Sequence, residues 1–369
     1  MDESTSLQTT DVVFAEATPE QRQLSWALNG ESWAPPLSTS DYLAREEHLS
    51  LQELSKDGQC KYWVVYLKGH PRKIIASCES TRKTILISEN GVSREGHGYG
   101  IASVYTNPAY RRQGIAAMML HKVQEQMDRD SDCSVLYSDI GRSYYANLGW
   151  PVFPSQQAVL SLTKQPDATE NSTFSPSQLA RARYLSITQL PDLCEVDELF
   201  LSARFDGFPA DGKTRISFLP SFAQISWQLA REDFMAEKLL GKSPPNKGAI
   251  VDNGRSWIYW SHNWRTKKLK VLRIVHVREA TAEQRIDDIK VLLEASVAEA
   301  SAWGMSEVVV WNPDGETTTG SKAVGNTHLD VVKVFFNERT EGSIPSFRWA
   351  GGKDVKSTVW EENFYYCWC

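Results

Sequence analysis

Hydrophobic and polar positions follow two periods along this chain. In the first half, short runs of β-branched and aromatic residues predict strands at 11–15 ("DVVFA"), 62–68, 74–77, 84–88, 98–106, 134–138 and 159–162. Between the first two runs, Thr18-Pro19-Glu20-Gln21 sets a capping residue, a proline at the first helical position and a glutamine three after the cap. That is a helix start, and it opens a mainly helical stretch over 20–55, broken near "WAPPLSTS". After Gly114 the period changes again. Ile115, Ala116, Met119, Leu120, Val123 and Met127 fall on one helical face, while Lys122, Gln124, Glu125 and Asp128 point elsewhere. "RSYYANLGW" (142–150) reads as a short helix closed by Gly149. The predicted order is β-α-α-β-β-β-α-β-α-β.

Residues 164–178, "KQPDATENSTFSPSQ", carry almost no large apolar side chain and read as a linker. This divides the chain into 1–163 and 179–369. The second part shows helical stretches over 187–241 and strands near 248–251, 255–263 and 268–277. A capping box at Thr281 and Gln284 opens a helix with Ile286, Ile289, Leu293, Val297 and Ala300 on one face. A strand follows at 306–311, with a further one near 347–350 or 356–366. Its β-β-α-β run repeats the order seen around Gly114.

The 369 residues suit two domains, and 41% hydrophobic with 11% aromatic residues can fill both cores. Forty basic against 46 acidic residues give a net charge of −6, which argues against a nucleic-acid face. No stretch approaches the roughly 18 apolar residues of a membrane span, and the acidic "MDESTSLQTT" resembles no targeting segment. Six scattered cysteines without CxxC spacing read as reduced thiols of a cytoplasmic protein; Cys367 and Cys369 read as packed or frayed tail thiols. No histidine shows metal-ligand spacing, so no metal is expected. The sequon Asn171-Ser172-Thr173 carries no weight without a secretion signal.

The chemistry concentrates where the strand ending at Thr106 meets the helix after Gly114. A helix N-terminus leaves its first amides without internal partners, and with the macrodipole they favour an anion. Gly114 permits close backbone approach, Ala116 and Ala117 keep the first turn uncrowded, and Arg111 and Arg112 add positive charge. The P-loop pattern is absent, and the glycines of "GHGYG" (96–100) precede a strand rather than a helix. Arg111-x-x-Gly114-x-Ala116 resembles the [Q/R]xxGx[G/A] signature of the GCN5-related N-acetyltransferases, the GNAT superfamily. "VYTNPAYRRQGIA" is similar to that superfamily's strand-loop-helix segment, and "SYYANLGW" to its later "FYxxxGF" segment. "SDYLAREEHL" (40–49), "SDIG" (138–141), "GWPVFPS" (149–155) and "REDFMAEKLLGKSPPNKGAI" (231–250) are similar to the fungal lysine N-acetyltransferases.

The resemblance implies an α/β (α+β) architecture: a GNAT fold with a mixed, mostly antiparallel sheet, followed by a second, degenerate GNAT-like domain. It implies acetyl-CoA as cosubstrate and acetylation of a small-molecule amine, the ε-amine of free L-lysine in a lysine-degradation route. The pyrophosphate would rest on the segment Arg111, Arg112, Gln113, Gly114, Ile115, Ala116 and Ala117. The pantetheine would pair with Ser103, Val104 and Tyr105, between splayed strands 98–106 and 134–139. Tyr145 sits where the superfamily places a tyrosine that protonates the departing thiolate. Asp139, Glu95 and His97 are the candidates by position for the group that accepts the amine's proton. The loop 203–215, with Arg204 and Asp206 among aromatics, is a candidate substrate wall. In the second part, the junction at 276–286 lacks the glycine, and Glu279 and Glu283 oppose a pyrophosphate; this half is expected to bind no coenzyme A and to close the cleft. Two alternatives stay open at this point: a protein or peptide N-acetyltransferase, and a non-catalytic coenzyme A-binding module.

Overall fold

Two twisted sheets, each backed by helices, form the molecule. The structure is a computed structural model and describes residues 11–163, 181–277 and 280–368. The proposed linker 164–178, the sequon, Glu279 and Cys369 lie outside the described residues.

The first sheet begins with β1 (Val12–Glu16), followed by α1 (Pro19–Trp33) and α2 (Thr39–Ser50). The Thr18–Gln21 capping box starts α1, as the sequence pattern requires. β2 (Cys60–Leu67), β3 (His70–Glu89) and β4 (Val92–Thr106) then run antiparallel. The two strands expected at 74–77 and 84–88 are one. The polar stretch between them suggests a turn, but Ser80, Thr81 and Lys83 are buried. Ser80 Oγ accepts from Trp63 Nε1 at 2.9 Å, and Lys83 Nζ donates to the Cys367 carbonyl at 2.9 Å. Tertiary partners let these polar groups sit mid-strand.

The helix α3 (Ile115–Met127) buries Ile115, Met119, Leu120, Val123 and Met127 against β2, β3 and β4. Each such side chain contributes about 1.5–3 kcal/mol on burial. Gln124, expected to face away, is also buried, because its amide donates to the Leu148 carbonyl at 2.7 Å. β5 (Cys133–Ser138) pairs parallel with β4. The expected helix at 142–150 is a single 3₁₀ turn, Ala146–Leu148, ended by Gly149 at φ 97°.

The second sheet uses β6 (Gln156–Leu162) and β7 (Ala182–Leu185). Next come α4 (Leu190–Asp206), β8 (Thr214–Phe218) and α5 (Phe222–Leu240); β8 is a strand not expected between the helical stretches. β9 (Gly248–Val251), β10 (Ser256–Asn263), β11 (Lys268–His276), α6 (Ala282–Ala302) and β12 (Glu307–Trp311) follow. α7 (Gly315–Thr327), β13 (Val332–Glu338), β14 (Ile344–Trp349) and β15 (Thr358–Trp360) complete the order; α7, which carries few large apolar residues, and β13 go beyond the expected elements. The β10-β11-α6-β12 unit repeats β3-β4-α3-β5: an antiparallel pair, a helix, then a parallel strand. The fold is thus a GNAT-type α/β unit with a second GNAT-like unit behind it.

The sheets do not divide at residue 163. The first runs β1-β2-β3-β4-β5-β14, with β8 on the far half of β3 and β15 on β8. The second runs β13-β6-β12-β11-β10-β9-β7. Thus β6 from the first half sits between two later strands, while β14 and β8 from the second half complete the first sheet. Among the described residues, no helix is long and apolar enough to cross a membrane, and Cys60, Cys78, Cys133, Cys194 and Cys367 are buried thiols.

This exchange has a measurable consequence. A fragment of residues 1–163 lacks β14 beside β5, both neighbours of β6, and β8 beside the far half of β3. It is expected to show no cooperative thermal transition by near-ultraviolet circular dichroism, whereas the full chain melts cooperatively. A cooperative melt of the fragment would refute that dependence.

Candidate active site

The parallel pairing of β4 with β5 runs from Gly98–Cys133 to Ile101–Leu136 and stops. Past that point β4 carries a bulge. Ser77 pairs with Tyr105 and Glu79 with Ala102, so Ser103 and Val104 together oppose Cys78. Ser103 takes the left-handed conformation, φ 53°. A bulge bends its strand and re-aims a side chain; here the Ser103 hydroxyl donates to Glu79 Oε1 at 2.5 Å. The main chain of Val104 and Tyr105 is left without a β5 partner, as expected for a strand that receives an extended ligand.

β4 leads through a 3₁₀ turn, Pro108–Tyr110, to the mouth of α3. No side chain caps this helix. Gly114, its N-cap, has φ 75°, and a Cβ built there would meet nothing within 4 Å. Arg112, two residues before, is also left-handed at φ 63°. Successive residues of this kind turn backbone N–H groups into a concavity suited to an anion. Arg111 and Arg112 are exposed beside it, and Arg111 Nε is tied to the Thr106 carbonyl at 3.0 Å. The segment from Arg111 to Ala117, including Gln113, Ile115 and Ala116, fits a diphosphate: uncapped amides, an open face and positive charge.

A cleft of about 760 Å³ opens on the other side of the bulge. One wall is Tyr42, Arg45 and Glu46 from α2 with Glu79, Ile101, Ala102 and Ser103. The other comes from the second half, including Lys270, Trp311, Arg339, Tyr365 and Trp368. Glu79 is partly exposed to this space. Burial, and then the neighbouring Glu46 charge, push its carboxyl up to about 7, against the stabilising Ser103 hydrogen bond and the Arg45 charge. A carboxyl near neutrality that faces a cleft can exchange protons at working pH.

The residues singled out from sequence separate into two groups. Asp139 ends β5 and lines the cleft, where Oδ1 accepts from the Ser343 amide at 2.7 Å. Tyr145 packs among Ile101, Ile115 and Leu136, edge-on to Tyr144 at 5.1 Å, and burial raises its phenol, with the fields of Tyr144, Cys78 and Asp139 adding to it. It stays protonated at neutral pH. Glu95 and His97 lie elsewhere. They pair with Leu86 and Thr84 on the far half of β3, six or more residues before the bulge. At about 3.3 Å per residue that is roughly 20 Å from Ser103, and neither lines the cleft. Arg204 and Asp206 are also remote: Arg204 pairs with Glu361 and Glu362, and Asp206 accepts from Ser93. Glu95 and His97 were expected ahead of a strand starting at 98 but lie within β4, and Arg204 and Asp206 were expected in a loop but lie at the end of α4. Glu79 was missed. Its signal is a lone acidic residue inside an otherwise apolar and small-residue strand, "IIASCES".

The family described as "LYC1 GNAT-like C-terminal domain" matches residues 163–369, and "Acetyltransferase (GNAT) family" matches residues 24–150. The chain belongs to the GNAT superfamily. Acyl transfer from an acyl-coenzyme A is therefore its chemistry, and N-acetyltransferase its enzyme class. The "Lysine acetyltransferase" of Yarrowia lipolytica is 21% identical over 81% of this chain and 84% of its own length. The uncharacterized protein YGR111W of Saccharomyces cerevisiae is 24% identical over 97% of this chain and 98% of its own. Among solved structures, N-myristoyltransferase of Saccharomyces cerevisiae has a TM-score of 0.54 at 8% identity, covering 94% of this chain and 82% of its own. The GCN5-related N-acetyltransferase from Kribbella flavida has a TM-score of 0.51 at 14% identity, covering 92% and 72%. Both share the fold along nearly the whole chain.

The second GNAT-like unit treats the equivalent positions differently. Its helix α6 is closed by its own capping box, Thr281 with Gln284, and Glu283 lies in the first turn. Pairing of β11 with β12 ends at Lys270–Val309, and the C-terminal segment 365–367 packs against β11 beyond it. Tyr365 touches Trp311 with ring centres 4.6 Å apart. A side-chain cap and a tail occupy what α3 and the β4–β5 gap leave open.

Gly114→Glu is expected to raise the dissociation constant for coenzyme A at least about 100-fold in isothermal titration, since it puts a carboxylate into an anion site and an L residue at positive φ. The melting temperature should fall by only a few degrees. Unchanged affinity would remove the diphosphate from this loop.

Proposed function

We propose that the chain transfers an acetyl group from acetyl-CoA to the ε-amine of free L-lysine by direct attack within a ternary complex. The observation that carries this reading is Glu79: a carboxyl poised near neutrality, hydrogen-bonded to the bulge residue Ser103 and facing the cleft. The Yarrowia lipolytica relative named as a lysine acetyltransferase supports lysine as acceptor. A cleft walled by both halves supports a small acceptor over a folded polypeptide.

Acetyl-CoA, when bound, supplies the activated acyl group. The residues of this chain do the rest. An ammonium of pKa near 10.4 must lose its proton before it can attack, at a cost of roughly 4–5 kcal/mol at pH 7. Glu79 takes that proton at Oε1 or Oε2. Ser103 holds the carboxylate in place, and Arg45, itself paired with Glu46, keeps the deprotonated form accessible. The main chain of Val104, turned away from β3, orients the donor along β4, and the α3 mouth fixes its diphosphate. Tyr145 remains protonated and returns a proton to the departing thiolate. Asp139, held by the Ser343 amide at the end of β5, closes the same end of the cleft.

Incubating the purified chain with acetyl-CoA and an amine panel, with free thiol as readout, tests the assignment. Turnover of lysine without turnover of peptides is expected. Peptide turnover would select the protein-directed alternative, and binding without turnover the non-catalytic one.

Glu79→Gln is expected to lower kcat about 10²- to 10⁴-fold while coenzyme A affinity is retained. The base works deprotonated and its carboxyl sits near 7, so kcat/KM of the parent should rise with pH through about 7 and then level. That limb should vanish in Glu79→Gln; a limb that persists would assign the proton to another group.

A further inference from the structure

Four cations on the second-half wall of the cleft have no carboxylate ion pair among the described residues; Arg265 is exposed at the rim, and the other three are Arg231 of α5, Lys270 of β11 and Arg339 directly after β13. Each of these three sits over an aromatic ring. The Arg339 guanidinium lies 3.8 Å from the Trp311 ring centre, the Lys270 ammonium 5.5 Å from Tyr365, and the Arg231 guanidinium 5.4 Å from Trp368. Those rings touch one another. Trp311 meets Tyr365 edge-on at 4.6 Å, and Tyr365 stacks with Trp368 at 5.7 Å. The cations therefore share one continuous aromatic ledge.

Arg339 is the most confined of the three, at 6% exposure. Its Nη atoms reach the Gln156 and Ser343 carbonyls only at 3.4 Å each, and its buried Nε has no partner among the described residues. Such a guanidinium is built for a planar, two-oxygen acceptor. Most other charges of the cleft are already engaged. Lys268 pairs with Glu307 at 2.7 Å, Arg45 with Glu46 at 2.5 Å, and Arg265 donates to the Ser32 carbonyl at 3.3 Å. Glu338 accepts from Ser155 at 2.8 Å and pairs with Arg142, Asp139 accepts from the Ser343 amide, and Glu341 lies exposed at the rim. Holding three bare cations together out of water is costly unless an anion joins them. Burial pulls Arg231 and Arg339 down to about 10; burial, with repulsion from Lys268 and Arg339, brings Lys270 to about 7.

We infer that this ledge is a carboxylate-recognition site, which makes the acceptor an amino acid whose anionic end rests on Arg339 and Lys270, with Arg231 beside them, while its reacting amine faces Glu79. The inference rests on reading the cleft as an acceptor site for acetyl transfer. It assigns specificity to the second GNAT-like unit and catalysis to the first.

Steady-state kinetics with L-lysine and with 1,5-diaminopentane, which is lysine without its carboxyl group, test it. The parent chain should favour lysine at least about 100-fold in kcat/KM, because the diamine leaves the buried cations unpaired. Arg339→Gln should raise KM for lysine about 100-fold with kcat within a few-fold, and should cut the preference for lysine over the diamine by a similar factor. Lys270→Met, at a less confined position, should act in the same direction and serves if Arg339→Gln fails to fold. Equal use of the two amines by the parent, or an equal loss of both in the variants, would overturn the inference while leaving lysine acetylation standing. If ornithine or 6-aminohexanoate is acetylated in place of lysine and shows the same variant effect, the ledge stands and lysine as substrate falls. If no amine is turned over, calorimetry with 6-aminohexanoate in the presence of coenzyme A decides: binding lost in Lys270→Met supports the site, and equal titrations of parent and variant overturn it.

Discussion

The pairing of two parallel strands ends early, and most of the site follows from that. β4 and β5 are hydrogen-bonded through Ile101 and Leu136 and no further. A sheet that continued would satisfy its own backbone and leave no room between the strands. The bulge at Ser103 and Val104, formed against β3, bends β4 just past the point where it parts from β5. It also points the Ser103 hydroxyl at Glu79 and leaves backbone groups of β4 available to an extended ligand. The same strand then delivers the chain to α3, whose uncapped amides lie open beyond Gly114. One interruption thus sets the β4–β5 gap, Glu79 and the uncapped mouth of α3 in a fixed relation.

The second unit has the same topology and has spent it differently. Its own parallel pair also parts, at Lys270 and Val309, but aromatic residues near the end of the chain pack into the space. Gln224 and Gln228 hold that segment by donating to the carbonyls of Tyr366 and Trp368 at 2.7 Å each, and Lys83 reaches across from β3 to the Cys367 carbonyl. Upstream, Glu362 meets Arg273, which Asp197 grips at 2.6 and 2.7 Å. A buried pair of this kind adds little net stability but is costly to break, so it fixes where the segment runs. The repeated fold contributes positively charged residues to the cleft wall, and its own helix mouth carries a side-chain cap.

Local signals in the sequence carried the fold of the first unit well. The capping box at Thr18, the period of Ile115 to Met127 and the glycine before them are short-range features, and each formed as its pattern required. The anion loop was legible for the same reason: all its determinants lie within seven residues. Glu79 was not legible, because its meaning depends on a bulge in a different strand and on burial by α2. Glu95 and His97 lie in the same strand as Ser103, yet at the end remote from the gap; the distance along a strand, invisible in a motif, decides against them. β8 was obscured by the exchange between sheets, since its partner in β3 lies far away along the chain, whereas β14 overlaps the strand expected near 347–350. The cations of the ledge come from three separate elements and share no sequence pattern at all.

The swap of strands between halves bears on biosynthesis. β5 emerges from the ribosome long before β14, its neighbour in the finished sheet, and β6 waits similarly for β12 and β13. Until then, naked sheet edges that carry valine and leucine face solvent or whatever escorts the nascent polypeptide. Because the cleft is assembled from both halves, chemistry cannot begin co-translationally: the enzyme acquires a pocket only once its closing strands have threaded home.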